Sequence, residues 1–228
     1  MRMLLTSSGI HNTTVRETFL GLLDRPPAES SIAVIVDAIL PFDGDNTTTL
    51  EHLAELHGLG WVTFDLMSLF GGPRSVIESR LRSADVIFCY GGTNHWLAHA
   101  WTATGLAPVL RELLEEKVYL GTSAGSMIFS RHHADMVEAF DDREEVEMLQ
   151  LETVAAAVPL FDWSLLAHLD APFFPDQTDE TLAAGAARLG APLYVIDDDT
   201  ALLVRDPDQP PEVVSTGRWL EFGTAGRD

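Results

Sequence analysis

The sequence predicts an α/β fold with a mostly parallel sheet and an antiparallel edge close to the C-terminus. Over the first 120 residues, short apolar runs alternate with stretches of helical periodicity. This alternation is typical of parallel strands joined by right-handed helical crossovers. After residue 190, four short apolar runs follow one another with little but turn residues between them. Such closely spaced runs indicate antiparallel strands.

The predicted strands are short apolar runs. The run at 31–39 is almost continuously apolar, as in a parallel strand covered on both faces. The apolar runs predict strands at 3–6, 31–39, 61–69, 85–90, 118–120, 163–170, 193–196, 201–204, 213–215 and 219–222. The acidic turn at 197–200 predicts that strand 201–204 is the hairpin partner of strand 193–196, and the last two strands form the antiparallel edge.

The predicted helices are bounded by capping residues, prolines and glycines. Pro26 ends the first helix, Gly58 the second, and Pro73 fits the first turn of the third. Apolar residues at helical spacing predict helices at 15–23, 47–56, 73–82, 95–103, 108–116 and 178–189. The stretch 131–147 is polar and acid-rich and predicts an irregular loop, a short hairpin or a lid, with a solvated charged face.

Composition and charge limit the function classes. The 228 residues are enough for one domain over 1–228, with 46% hydrophobic and 21% charged residues. A net charge of −21 argues against nucleic acid or an anionic membrane as partner. The single cysteine, Cys89, excludes a disulfide framework within the chain. The apolar run at the N-terminus is too short for a signal peptide, so a cytoplasmic protein is expected.

Residues 121–125, Gly-Thr-Ser-Ala-Gly, lie where a predicted strand ends and a helix begins. A sharp strand-to-helix turn would expose the Ser123 hydroxyl in strained geometry and requires small residues two positions away. Gly121 and Gly125 meet this need. A nucleophile elbow and a tight turn with an incidental serine both explain the motif. Another glycine pair, Gly91 and Gly92, also follows a strand, which favours the elbow because ligands bind at the carboxyl ends of parallel strands.

A serine nucleophile needs a base, and the base needs an orienting carboxylate. His168 is the candidate base because it lies toward the end of an apolar run and precedes a rigid Pro-Phe-Phe-Pro turn. A core histidine bonded to the backbone is the alternative. The acid is one of Asp197, Asp198 and Asp199, for which ordinary turn chemistry is the alternative. The order serine, histidine, acid differs from the serine, acid, histidine order of α/β-hydrolases.

The other seven histidines are weaker candidates. His95 could line the pocket, although a solvated position at a helix start is favoured. A metal site of His132, His133 and Asp135 is disfavoured, since adjacent histidines point in different directions. The remaining histidines are expected at the surface: His11, His52, His57 and His99.

Four segments together resemble the peptidase E (aspartyl dipeptidase) and cyanophycinase family of serine peptidases. They are Val-Tyr-Leu-Gly-Thr-Ser-Ala-Gly-Ser around Ser123, Phe-Cys-Tyr-Gly-Gly-Thr-Asn ending at Asn94, His-Leu-Asp-Ala-Pro-Phe-Phe-Pro from His168, and Val-Ile-Asp-Asp-Asp-Thr-Ala-Leu-Leu-Val around Asp198. The resemblance runs from the first strand to about residue 204. It implies a three-layer α/β sandwich similar to the class I glutamine amidotransferases.

The resemblance also implies roles for individual residues. Ser123 would be the nucleophile, His168 the base and Asp198 the acid, a position that is Glu in peptidase E. Oxyanion donors would be the backbone N–H groups of Ala124 and of Gly92 or Gly91. This mechanism requires no metal and no cofactor.

Substrate recognition is less constrained by the sequence. Asn94 in the glycine loop and Asp135, which could bind an α-amine, are the implied substrate-binding residues. The region after His168 offers only Arg188 as a basic group, and Arg131 is the other candidate for a basic pocket. The sequence predicts a dipeptidase acting on short peptides, with N-terminal aspartate as one candidate, and the C-terminal edge strands could pair in a homodimer. The alternatives are a cyanophycinase-like or other small-amide or ester hydrolase, and a non-catalytic binding module.

Overall fold

The computed structural model describes residues 1–223 and has ten strands in two sheets. The strands are β1 Arg2–Thr6, β2 Ser31–Ile35, β3 Thr63–Met67, β4 Val86–Cys89, β5 Val118–Thr122, β6 Ser164–Leu166, β7 Leu193–Ile196, β8 Thr200–Val204, β9 Glu212–Ser215 and β10 Trp219–Phe222. The helices are α1 Thr13–Leu20, α2 Thr47–His57, α3 Arg74–Ser83, α4 Asn94–Ala103, α5 Ala107–Glu116, α6 Ala124–Met127, α7 His133–Phe140, α8 Arg143–Met148 and α9 Asp179–Leu189.

The larger sheet has seven strands in the order β3-β2-β4-β5-β1-β8-β9. The first five are mutually parallel, whereas β8 and β9 are antiparallel to their neighbours. The predicted α/β fold with an antiparallel edge is therefore confirmed. A second sheet, in the order β10-β7-β6, pairs β6 and β7 in parallel and β7 and β10 antiparallel.

Both faces of the five inner strands of the larger sheet are buried, which explains why these strands are almost continuously apolar. Side chains alternate between the faces: Met3 and Leu5 join one core with residues of α3, α4 and α5, while Leu4 joins the other with residues of α1 and α2. A third apolar cluster covers the second sheet with α7 and α9. Among residues 1–223, no helix is both long and apolar enough to cross a membrane.

The predicted strand at 31–39 is too long. The strand ends at Ile35, and Asp37–Ile39 forms a 3₁₀ turn. The Asp37 carboxylate, which is fully buried, accepts hydrogen bonds from the Ser68 hydroxyl and the Leu69 N–H. These bonds stabilise the turn. The polar Asp37 inside the apolar run 31–39 was the sequence feature that indicated an earlier end of the strand.

The predicted hairpin between strands 193–196 and 201–204 is wrong. β7 lies in the small sheet and β8 in the large one, so the acidic turn connects two sheets. The last two strands are also divided, since β9 pairs with β8 and β10 pairs with β7. Strand partners depend on contacts distant in sequence, which local turn chemistry does not specify.

Two further segments differ from the predictions. The stretch 131–147 forms the helices α7 and α8 instead of an irregular loop, because Met136, Val137 and Ala139 place an apolar stripe against the core. The strand predicted at 163–170 ends at Leu166. His168 lies beyond it with a positive φ of 67°, a conformation that strands do not contain.

Candidate active site

Ser123 lies between β5 and α6 in strained backbone geometry. Its φ and ψ are 51° and −117°, values that a residue with a side chain rarely adopts. Its N–H donates to the Thr6 carbonyl across the β1–β5 pair at 2.9 Å. The turn leaves the serine half-buried at the carboxyl edge of the sheet. This is the geometry expected of a nucleophile elbow.

Small residues around Ser123 are a steric requirement. A Cβ on Gly121 would lie 2.6 Å from the Gly125 carbonyl oxygen. A Cβ on Gly125 would overlap the Cys89 carbonyl of the neighbouring strand β4. The glycines of the motif therefore permit α6 to pack against the sheet, as predicted from the sequence.

The His168 ring lies between Ser123 and Asp198. Its Nε2 is 2.9 Å from the Ser123 Oγ, and its Nδ1 is 2.7 Å from Asp198 Oδ1. The rings of Phe173 and Phe174 pack against the imidazole at centroid distances of 5.2 and 5.9 Å. The rigid turn that follows His168 thus shields one side of the ring. The three side chains lie in the contact predicted for them, and their catalytic roles stay a prediction.

The three consecutive aspartates have different partners. Asp197 accepts from the Thr200 hydroxyl at 2.6 Å, and Asp199 from the Asn12 amide at 2.9 Å. Only Asp198 contacts the imidazole. Burial raises the pKa of Asp198, but hydrogen bonds from His168 and Ser7 outweigh burial, so that the net pKa is lowered. The carboxylate is therefore ionised at neutral pH.

Ser7 is a site residue that the sequence analysis missed. It is the first residue after β1, and its hydroxyl contacts both His168 and Asp198. β1 lies between β5 and β8 in the sheet, so Ser7 emerges at the same edge as Ser123. Its position in the sequence could have identified Ser7 as a site residue, since a polar residue directly after a central parallel strand lies at the ligand-binding edge of the sheet.

The predicted oxyanion residues lie beside the serine. Gly92 has a positive φ of 127°, and the N–H of the next residue, Thr93, donates to the Ala38 carbonyl at 2.9 Å. A Cβ on Gly91 would lie 3.0 Å from the Ser123 Cβ. Ala124 is the first residue of α6, so its N–H has no acceptor within the helix. N–H groups in such positions can stabilise negative charge on a substrate oxygen.

A cavity of about 390 Å³ opens in front of the serine–histidine pair. Its far wall is formed by Ile39, by Thr48, Thr49 and His52 of α2, and by Tyr90. His52 Nδ1 lies 3.0 Å from the Tyr90 hydroxyl, and burial, followed by the charge of a nearby histidine, lowers the pKa of His52. His52 therefore lines the cavity instead of lying at the surface. Within the described chain, this lining contains no arginine or lysine.

The predicted substrate-binding residues lie outside this lining. Asn94, the first residue of α4, is buried. Arg131 pairs with Asp162 at 2.7 Å, and Asp135 lies 3.4 Å from His132. The structure therefore does not bring these three predicted side chains to the cavity around Ser123.

Two buried histidines occupy a separate location. His95, expected to be solvated, is 2% exposed, and its ring lies 5.2 Å from that of the equally buried His133. His95 Nε2 lies 3.3 Å from Asp142 Oδ2. The expectation for His95 is wrong because α4 packs against α6, the helix that follows Ser123. In the described part of the chain, no group of three or more His, Cys, Asp or Glu side chains is arranged to hold a metal ion.

In comparisons with known proteins, the chain is similar to peptidases. Residues 3–209 match the model of peptidase family S51. An uncharacterized peptidase of Pasteurella multocida is 28% identical over 62% of this chain and 66% of its own length. An uncharacterized peptidase of Listeria innocua is 30% identical over 58% of this chain and 61% of its own. The match thus spans just under two thirds of these curated relatives.

Two crystal structures share the fold. One is a Listeria monocytogenes protein provisionally named peptidase E, with a TM-score of 0.75 and 20% identity over 95% of this chain and 98% of that chain. The other is a peptidase from an acI-B1 Actinobacterium, with a TM-score of 0.63 and 18% identity over 97% and 96%. The family resemblance predicted from the four sequence segments is confirmed.

Proposed function

The chain belongs to peptidase family S51, and we propose that it hydrolyses short peptides as a serine exopeptidase, most simply a dipeptidase. The observation that carries this proposal is the 2.9 Å contact between Ser123 Oγ and His168 Nε2 at the elbow. A serine hydroxyl at such a distance from an imidazole can transfer its proton as it attacks a carbonyl. In this proposal, Asp198 orients the imidazole and backbone N–H groups stabilise the developing negative charge.

The reaction proceeds in two halves. Ser123 Oγ attacks the scissile carbonyl carbon while His168 Nε2 accepts the hydroxyl proton. Collapse of the tetrahedral intermediate breaks the peptide bond, and the imidazolium gives its proton to the leaving amine. Water then attacks the acyl-enzyme with His168 again as base, and the serine is regenerated.

Two further groups lower the barrier in this proposal. The ionised Asp198 accepts a hydrogen bond from His168 Nδ1, which leaves Nε2 unprotonated and facing Ser123. The N–H groups of Gly92 and Ala124 donate to the oxygen that becomes negative in the transition state. Removal of one such donor costs about 10²–10³ in rate in enzymes of this kind.

The cavity supports a small peptide substrate. An N-terminal aspartate would place its side chain at the amino end of α2, near the Thr48 and Thr49 hydroxyls. Free N–H groups in the first turn of a helix favour a carboxylate, although more weakly than an arginine does. Because the lining formed by residues 1–223 contains no arginine or lysine, we propose that any preference for aspartate is modest.

Covalent labelling with a fluorophosphonate tests the proposal. We expect an adduct on Ser123, located by peptide mass spectrometry, and its loss in Ser123→Ala. Ser83→Ala is the matched control, because Ser83 is an exposed serine at the end of α3. A library of dipeptides then tests the peptidase activity. Absence of the adduct contradicts a serine hydrolase, and cleavage of esters without any dipeptide contradicts a peptidase.

A further inference from the structure

We propose that Ser7 is a positioning residue, whose single hydroxyl fixes both the backbone of His168 and the carboxylate of Asp198. This inference rests on the proposed function, because it concerns the same serine, histidine and aspartate. Its basis is a set of contacts from Ser7 to two members of that group, and the resemblance to known peptidases assigned no role to it.

The surroundings of Ser7 hold it in place. It follows β1, a strand paired with β5 on one side and with β8 on the other. Its N–H donates to the Thr200 carbonyl at 3.4 Å, and the residue is fully buried. Ser7 therefore follows a strand that is paired on both sides, with the strand that precedes Ser123 and with the one that follows Asp198.

The hydroxyl makes two well-defined hydrogen bonds. It donates to Asp198 Oδ1 at 2.7 Å and accepts from the His168 N–H at 2.9 Å. The His168 Nδ1 is also within 3.3 Å, but the closer acceptor for its proton is Asp198 Oδ1 at 2.7 Å. Because a hydroxyl has one proton, these partners determine its orientation.

The bond to the His168 N–H supports a strained backbone. His168 has a φ of 67°, which is unfavourable for a residue with a side chain and persists only when surrounding contacts hold it. The next N–H, of Leu169, donates to the Ile196 carbonyl at 3.0 Å. Ser7 thus accepts the hydrogen bond from the N–H of the strained residue, His168. The backbone conformation of His168 in turn sets the direction of its imidazole ring.

The bond to Asp198 restrains a partly exposed carboxylate. The Asp198 side chain is 39% exposed, so its orientation depends on hydrogen bonds more than on packing. Ser7 and His168 both donate to the same oxygen, Oδ1. Without the hydroxyl, that oxygen has one donor fewer and attracts the imidazole proton more strongly. The protonated form of His168 would then be stabilised.

Two changes are expected when the Ser7 hydroxyl is removed, and the second separates a positioning role from a structural one. In Ser7→Ala, we expect the rate of Ser123 labelling by a fluorophosphonate to fall about ten- to hundredfold, the effect of losing a hydrogen bond to a charged group. We also expect the acidic limb of its pH profile to move to higher pH, because the base is protonated more readily. Loss of fold alone would not move that limb.

The experiment uses the full chain with three variants. Ser7→Ala removes the hydroxyl, whereas Ser7→Thr keeps one. Ser7→Thr should therefore retain most of the labelling rate and leave the acidic limb of the pH profile at its original pH. Ser7→Cys, a smaller change that keeps a weak donor, gives an intermediate rate and replaces Thr if the added methyl prevents folding. Ser164→Ala is the control, since Ser164 is a buried serine bonded to the Ser130 hydroxyl at 2.7 Å. It should change neither the rate nor the limb.

An unchanged labelling rate in Ser7→Ala would overturn the proposal. A lower rate without movement of the limb would also overturn it, since that is the result of a structural role alone. Failure of the proposed function looks different, because the unaltered protein would then show no Ser123 adduct at any pH.

Discussion

A Cβ on Gly92 would overlap the carbonyl of Ala38, so that only glycine fits at this position without displacing the backbone. The same carbonyl accepts the Thr93 N–H at 2.9 Å. The glycine loop after β4 therefore rests on the 3₁₀ turn after β2. This contact fixes the backbone of the loop at Gly92, whose N–H is the proposed oxyanion donor.

Gly92→Ala should abolish most activity. The added methyl must push the loop away from Ala38, and a φ of 127° is unfavourable for alanine. We expect kcat to fall by about 10²–10³, the effect of losing one oxyanion donor, with a smaller change in KM. Steady-state kinetics on a cleaved dipeptide measure both constants.

Gly190→Ala is the matched control for that substitution. Gly190 ends α9 with a φ of 66°, but a Cβ there would have no neighbour within 4 Å among the described residues. The variant carries a conformational cost of about 1–2 kcal/mol without displacing the loop. Equal losses of kcat in the two variants would contradict the role given to Gly92.

The asparagine variants of neighbouring aspartates should separate their roles. Asp198→Asn keeps the shape of the side chain but lets its amide face His168, which then carries its proton on Nε2. We expect kcat to fall by about 10⁴, as for such a change of tautomer in other serine peptidases. Asp199→Asn should retain activity, because Asp199 bonds to Asn12 at the surface. Comparable activity of the two variants would show that the acid lies elsewhere.

The elbow was predictable because its constraints are local. Gly121 and Gly125 must be small for steric reasons that five consecutive residues express. The apolar strands β1 to β5 were likewise predictable, although β2 is shorter than its apolar run. Motif and periodicity thus predicted the sheet edge where the serine lies.

The site residues that were missed depend on long-range packing. Ser7 touches Asp198 across 191 positions of sequence, and a serine after a strand has no periodic signature. His52 and Tyr90 meet only because α2 and β4 are brought together by the fold. The placement of β7 and β8 in different sheets was also missed because it depends on long-range packing. The turn between them is equally compatible with a hairpin.

The charge on the first side chain of a dipeptide substrate should have little effect on its cleavage. Asp-Leu and Asn-Leu have nearly the same shape and differ in charge. A helix amino end stabilises a carboxylate by about 0.3–1 kcal/mol. We therefore expect kcat/KM for Asp-Leu to exceed that for Asn-Leu by less than about tenfold. A preference above about a hundredfold would require a cation in the cavity, and would contradict the proposed recognition by α2.

The protein should lose stability in mild acid through His133. Burial, then the neighbouring His95, lowers the pKa of His133 to about 4, and its hydrogen bond to the Met127 carbonyl only partly offsets this. As the pH falls below about 6.5, the unfolded chain binds a proton that the folded chain does not bind until about pH 4. The contribution of His133 to stability is therefore fully present above the pKa of His133 in the unfolded chain. It is lost as the pH falls toward the pKa of His133 in the folded chain.

His133→Gln should reduce this acid sensitivity. Glutamine does not titrate, and its amide can still donate to the Met127 carbonyl. Between about pH 7 and about pH 4.5, we expect the free energy of unfolding of the unaltered protein to fall by about 2 kcal/mol more than that of the variant. Urea titrations at both pH values measure the difference. His57→Gln is the control, because His57 is exposed at the end of α2. If His133→Gln keeps the full loss in acid, the sensitivity arises from other groups.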